Sequence, residues 1–142
     1  MSKFICLMLC IIGASSYVRA NPTLRDLLIP ISQECFKEFP RDSVDVVNKA
    51  AETGDAELLD PCFSGCVFKK AGFINDKGEY DTNSALINLR KLVTDDEQYA
   101  GLAAATNLCT SVQDTVTDGE AGCERGARLS ACLLQQRDYI SI

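Results

Sequence analysis

An all-α fold of about six helices is the architecture this chain predicts, and three observations point to it. Apolar residues recur with the 3.6-residue period of a helix, and few segments show the period of two that a half-buried strand requires. Capping residues and glycine stops punctuate the periodic runs. Six of the eight cysteines are spread along the body of the chain, where they can crosslink separate elements.

The first twenty residues, MSKFICLMLCIIGASSYVRA, form a different kind of segment. Lys3 supplies a basic start, Phe4 to Ile12 is an unbroken apolar run, and Val18 and Ala20 fit the small-residue rule for signal peptidase. The segment is expected to be a secretory signal, residues 1–20, cut after Ala20. The apolar run is about half of the ~20 residues that a membrane span needs. The expected mature domain is residues 21–142, a single domain long enough to bury a core. Removing Lys3 and Arg19 leaves 12 basic residues against 20 acidic ones, a net charge of −8. A chain this acidic repels phosphate backbones and anionic lipid, so nucleic acid is an unlikely partner and no membrane insertion is expected after signal cleavage.

The elements follow in order. Leu24, Leu27, Leu28 and Ile31 open an amphipathic helix that carries Cys35 and Phe36 near its end. Pro30 should kink or break it, and Pro40 closes it. Ser43 is an N-cap for VDVVNKAAET, which Gly54 stops. Asp60 caps a third helix with Pro61 at its first position, where the missing N–H does no harm, and CFSGCVFKKA runs on to Gly72. GFINDKGEYD reads as a loop turning around Asp76 and Gly78; its oxygens do not fall at the alternating positions a calcium loop requires. TNSALINLRKLV forms a fourth helix with Leu86, Leu89 and Val93 on one face. Thr94 and Glu97 make a capping box for a fifth, which continues through QYAGLAAATNLCTSVQDTV. Asp118-Gly119 breaks the chain, and a sixth helix spans roughly Cys123 to Gln136 before the tail.

Loss of the signal removes Cys6 and Cys10 and leaves six cysteines, which in a secreted chain read as three disulfides with 15 conceivable pairings. Cys62 and Cys66, four apart, share one helical face and should not bond to each other. Cys123 and Cys132, nine apart, fall on opposite faces and should bond to different elements. A metal site would need four thiolates, because the chain has no histidine. Stapling of this density also suits a helical shell around an incompletely filled core, since crosslinks offset contacts that a cavity forgoes.

The full spacing is Cys35-x26-Cys62-x3-Cys66-x42-Cys109-x13-Cys123-x8-Cys132. Together with the leader, the acidic mature chain and the stretch CFSGCVFKKAGFINDKGEYD, this resembles the insect odorant-binding protein family, in its six-cysteine pheromone- and general-odorant-binding form. The resemblance covers the whole mature chain. It implies six helices around an apolar cavity and the pairing Cys35–Cys66, Cys62–Cys123 and Cys109–Cys132. It also implies a C-terminal segment that folds over or into the cavity, here Tyr139 and Ile140. A chemosensory receptor would be a further partner, and the chain is expected as a monomer or weak homodimer in extracellular fluid such as sensillum lymph. One departure matters: with no histidine, imidazole cannot act as an acid-release switch, and any pH response falls to carboxylates such as Asp138.

The functional expectation is a carrier for small hydrophobic ligands, with no cofactor. Candidate lining residues on inner helix faces are Phe68, Leu86, Leu89, Leu102, Val112 and Leu133, with Tyr99 and Tyr139 able to offer a hydroxyl. An enzyme is not expected. No histidine means no Ser-His or Cys-His pair, and Asp95, Asp96 and Glu97 are explained by the dipole of the helix they begin. The alternative is a secreted helical interaction or signalling protein without ligand transport, which would show a large exposed apolar patch and no cavity.

Overall fold

Helix caps decide where this chain turns. The computed structural model describes residues 22–114 and 119–138. Within them lie seven α-helices: α1 Leu24–Ile31, α2 Gln33–Glu38, α3 Val44–Thr53, α4 Pro61–Lys70, α5 Thr82–Leu92, α6 Asp96–Leu108 and α7 Cys123–Gln135. Short 3₁₀ turns occupy Ala56–Leu58 and Thr110–Asp114. The expected leader, residues 1–20, and the expected C-terminal cover, Tyr139 and Ile140, lie outside the described residues.

The count is seven where about six were expected because the first predicted helix is two. Pro30 lies inside α1 and cannot donate to the carbonyl four residues back. The chain re-forms at Ser32, whose amide and hydroxyl both reach the Leu28 carbonyl. Thr23 and Asp26 cap the start of α1 reciprocally. Ser43 caps α3 by accepting from the Val46 amide, and Gly54 ends it in the left-handed region at φ 73°. The guanidinium of Arg137 lies where a Gly54 side chain would be; that flexible side chain can move aside, so it is the left-handed backbone that disfavours a substituent there. Asp60 accepts from the Cys62 amide with Pro61 at the first turn of α4, as the sequence indicates.

The loop after α4 turns at Asp76 and Gly78 as expected, with Gly78 at φ 76°; the Asn75 side chain braces it by accepting from the amides of Lys77 and Glu79, and a lone bridge pairs Ile74 with Tyr80. Two local readings are corrected. The cap of α6 is Asp95, accepting from Gln98, not Thr94 with Glu97. Both registers satisfy the capping pattern, and the charged acceptor prevails. The fifth predicted helix ends early: α6 stops at Leu108, Cys109 turns the chain, and Thr110–Asp114 is 3₁₀.

The apolar interior divides into three clusters. The largest joins α4 through α7 and includes Phe68, Phe73, Ile74, Tyr80, Leu89 and Leu129. A second gathers Cys35, Phe63 and Val67, with the Phe36 ring stacked on Phe63 at 5.2 Å. The third is small, built on Ala50, Ala51 and Leu134. Three disulfides cross these layers: Cys35–Cys66 ties α2 to α4, Cys62–Cys123 ties α4 to α7, and Cys109–Cys132 ties the end of α6 to α7. This is the pairing the family resemblance implies. In an entropy picture each crosslink is worth about 3–4 kcal/mol.

The most extensive helix contact is α4 against α7. It is made backbone to backbone. A Cβ placed on Gly126 would sit 2.6 Å from the Cα of Gly65 and 2.7 Å from the Ser64 carbonyl carbon; one placed on Gly65 would sit 2.7 Å from the Gly122 carbonyl oxygen. No flexible side chain is there to yield. Gly126→Ala is therefore expected to cost about 3 kcal/mol, at the upper end for overpacking, measured by chemical denaturation of the oxidised protein. Denaturation within 0.5 kcal/mol of the parent (about the scatter expected for neutral surface changes) would refute the close crossing.

Asp42 presents the opposite problem, a buried charge. Its side chain is 3% exposed; one oxygen accepts from the Asp60 amide at 3.2 Å, and the other has no partner. Burial raises its pKa above the ordinary aspartate value, and the nearby Asp60 charge adds to this, while the Asp60 amide and Arg41 oppose it. Ionised Asp42 therefore weighs against the folded state, and this loss is relieved as pH falls through the raised pKa. Asp42→Asn keeps the acceptor and removes the charge, so it should raise the denaturation midpoint at pH 7 and shrink that gain on acidification. Asp42→Ala leaves the Asp60 amide unpaired and should lower stability by about 1–3 kcal/mol.

Candidate ligand-binding cavity

The three apolar clusters do not close on one another. Between α1, α3, α4 and α7 they leave a half-open cavity of about 90 Å³. Each cluster supplies part of the wall: Leu24, Phe68 and Leu133 from the largest, Phe63 and Val67 from the second, Ala50, Ala51 and Leu134 from the third. Leu28, Ile29, Phe36, Val47 and Leu59 complete the apolar surface. The alanines of α3 explain why there is space. At Ala50 and Ala51 the helix presents methyl groups where larger side chains would meet α7.

Of the residues expected to line a cavity, Phe68 and Leu133 do so. Leu89 of α5, Leu102 of α6 and Val112 of the following 3₁₀ turn are buried in the largest cluster and do not line the cavity. Leu86 is half-buried and belongs to none of the three clusters; the buried stripe of α5 is Thr82, Ala85 and Leu89, continuing to Val93. Tyr99 packs against the large cluster and carries the Arg90 guanidinium over its ring at 4.8 Å, so its hydroxyl does not address the cavity. The tyrosine that is deeply buried is Tyr80, whose hydroxyl donates to the Thr106 carbonyl at 3.4 Å and whose pKa is raised by burial. Tyr139 and Ile140 lie outside the described residues.

Sequence reasoning missed the polar element of the wall. Ser64 lies inside the CFSGC stretch, on α4 between the two cysteines. It is 3% exposed, lines the cavity, and its hydroxyl has no hydrogen-bond partner. An unpaired buried hydroxyl costs about 1–3 kcal/mol, which a ligand oxygen could recover. Ser32 and Ser130 also line the cavity, but Ser32 is already satisfied by the Leu28 carbonyl. A signal for Ser64 was present in the sequence: a small polar residue beside Gly65, at the helix crossing. The lining contains one charged side chain, Arg25 of α1. Among the described residues no helix is long and apolar enough to cross a membrane, and no group of three or more His, Cys, Asp or Glu is placed to hold a metal ion.

This geometry can enclose a slim apolar molecule and offer it a hydrogen bond. It presents no nucleophile paired with a base. Comparison with curated proteins and with solved structures found no match. The family model of the insect pheromone- and general-odorant-binding proteins, described as the PBP/GOBP family, matches residues 17–136. Its members are binding proteins for small hydrophobic ligands rather than enzymes. With that match over most of its length, all three disulfides in place and helices enclosing an apolar cavity, this chain belongs to the PBP/GOBP family.

Proposed function

We propose that the protein is an extracellular carrier that holds odorants, pheromones or similar small semiochemicals in the cavity between α1, α3, α4 and α7. The observation that carries this reading is the meeting of three apolar clusters around unfilled space, with one unpaired hydroxyl in its wall. The leader at residues 1–20, the acidic mature chain and the disulfides support release into an oxidising extracellular fluid. The working form is a monomer or weak homodimer, and a chemosensory receptor is the downstream partner. The large apolar side chains exposed among the described residues, Val44, Ile87 and Leu108, are on three different helices, which favours a carrier over a protein that acts through an apolar docking patch.

At about 30 Å³ per water, a 90 Å³ cavity has room for roughly three waters. That suits a narrow aliphatic chain better than a bulky polycyclic ligand. Ser64 is the anchor for an oxygen function on such a chain.

Displacement of an apolar fluorescent probe from the oxidised protein lacking residues 1–20 tests the reading, with volatile alcohols, esters, aldehydes and fatty acids as competitors. Micromolar displacement is expected. No probe uptake by a helical, fully oxidised protein would move the weight to the interaction-protein reading. Ala50→Leu, which takes up cavity space, should weaken uptake about tenfold with helical content kept, about 1.4 kcal/mol of lost binding. Ser64→Ala carries a double signature. The unliganded protein should become more stable, because an unsatisfied hydroxyl is gone, while affinity for alcohols should fall about fivefold to tenfold. Loss of stability together with unchanged alcohol affinity would remove Ser64 from the site.

A further inference from the structure

Arg25 is out of place for helix stability. It occupies the first turn of α1, where the helix dipole favours anions and opposes a cation. Its nearest carboxylate, Asp26, is at 4.0 Å, the limit for an ion pair, and that carboxylate is already engaged by the Thr23 amide at 2.9 Å. No hydrogen bond from the Arg25 guanidinium to the described residues holds it in place. Yet its side chain is only 26% exposed, and it lines the cavity. A long charged side chain commonly covers apolar surface with its stem and keeps its head at the edge.

The result is an apolar cavity whose wall contains a single charged side chain, a cation without a close partner. An alcohol or hydrocarbon ligand has no use for it. A carboxylate does: the planar guanidinium matches two carboxylate oxygens, and charge-assisted hydrogen bonds are roughly twice as strong as neutral ones. The N-terminal dipole of α1 favours the same negative charge. The overall charge of the mature chain is −8 and repels anions, so binding an ionised ligand requires a local cation, which Arg25 supplies.

We propose that Arg25 makes the protein selective for aliphatic carboxylic acids, with the alkyl chain in the cavity and the ionised head at the guanidinium. This inference rests on the carrier reading and narrows it to one ligand class.

The test compares decanoate, decanol and methyl decanoate by titration calorimetry at pH 7 and low salt. It uses the oxidised protein lacking residues 1–20 and its Arg25→Met and Arg25→Lys variants. Decanoate should bind about tenfold more tightly than decanol, the size of effect expected from a charge-assisted hydrogen bond at a partly exposed site. Arg25→Met should abolish that preference, bringing the ratio of decanoate to decanol affinity, both measured on the same variant, to within about twofold of one. Arg25→Lys should retain part of it, and added salt should weaken decanoate selectively. Tight decanol binding with no advantage for decanoate, or a decanoate preference that survives Arg25→Met, overturns the inference and leaves the carrier reading standing. Binding of none of the three by a folded protein overturns both.

Discussion

The structure depends on two glycines. Gly65 and Gly126 bring the backbones of α4 and α7 into direct contact, and Cys62–Cys123 locks that contact covalently. Two helices this close have no room for side chains between them at the crossing. Their larger residues are therefore displaced to either side. On one side, Leu129 joins the loop residues Phe73, Ile74 and Tyr80 and the faces of α5 and α6 to make the main core, and Phe68 and Leu133 belong to that core while also bordering the cavity. On the other, Phe63, Ser64, Val67, Ser130 and Leu134 face α1 and α3. The close crossing thus separates a filled compartment from an unfilled one.

The unfilled compartment persists because its other wall is built from small or loosely committed residues. Ala50 and Ala51 give α3 no reach. Pro30 and the break at Ser32 keep α1 short, and it lines the compartment with Leu24, Arg25, Leu28 and Ile29. Cavities cost stability, about 24 cal/mol per Å³ in the best-studied series, which for 90 Å³ is about 2 kcal/mol. Three disulfides at about 3–4 kcal/mol each comfortably exceed that. The unpaired Ser64 hydroxyl adds a further local cost. Both defects fall at the same place, as the proposed carrier role calls for.

Much of this was legible in the chain, and what was legible was local. Ser43, Gly54 and the Asp60-Pro61 pair announce their helix ends by side-chain chemistry that needs no partner. The four-residue gap between Cys62 and Cys66 announces a shared face. What could not be read is which apolar face meets space and which meets another helix. Leu89 and Phe68 carry the same periodic signal, yet one is core and the other cavity wall. That distinction is made by α3, whose contribution is an absence of side chain at Ala50 and Ala51, and absence leaves no trace in a hydrophobic pattern. The caps of α6 failed for a simpler reason: Thr94 and Asp95 each precede a suitable partner by three residues, and sequence does not rank them.

The crosslinks are distributed unevenly around the cavity, and this has an evolutionary consequence. All three disulfides run among α2, α4, α6 and α7; none touches α1 or α3. One half of the wall is thus part of a covalent frame, and the other half is attached only by packing and chain continuity. Substitutions in α1 and α3 can enlarge, narrow or recharge the chamber without disturbing the frame that determines whether the chain folds. Descendants of one scaffold can thus diverge in what they hold while remaining alike in how they are built, by changing the two cavity-lining helices that carry no bridged cysteine.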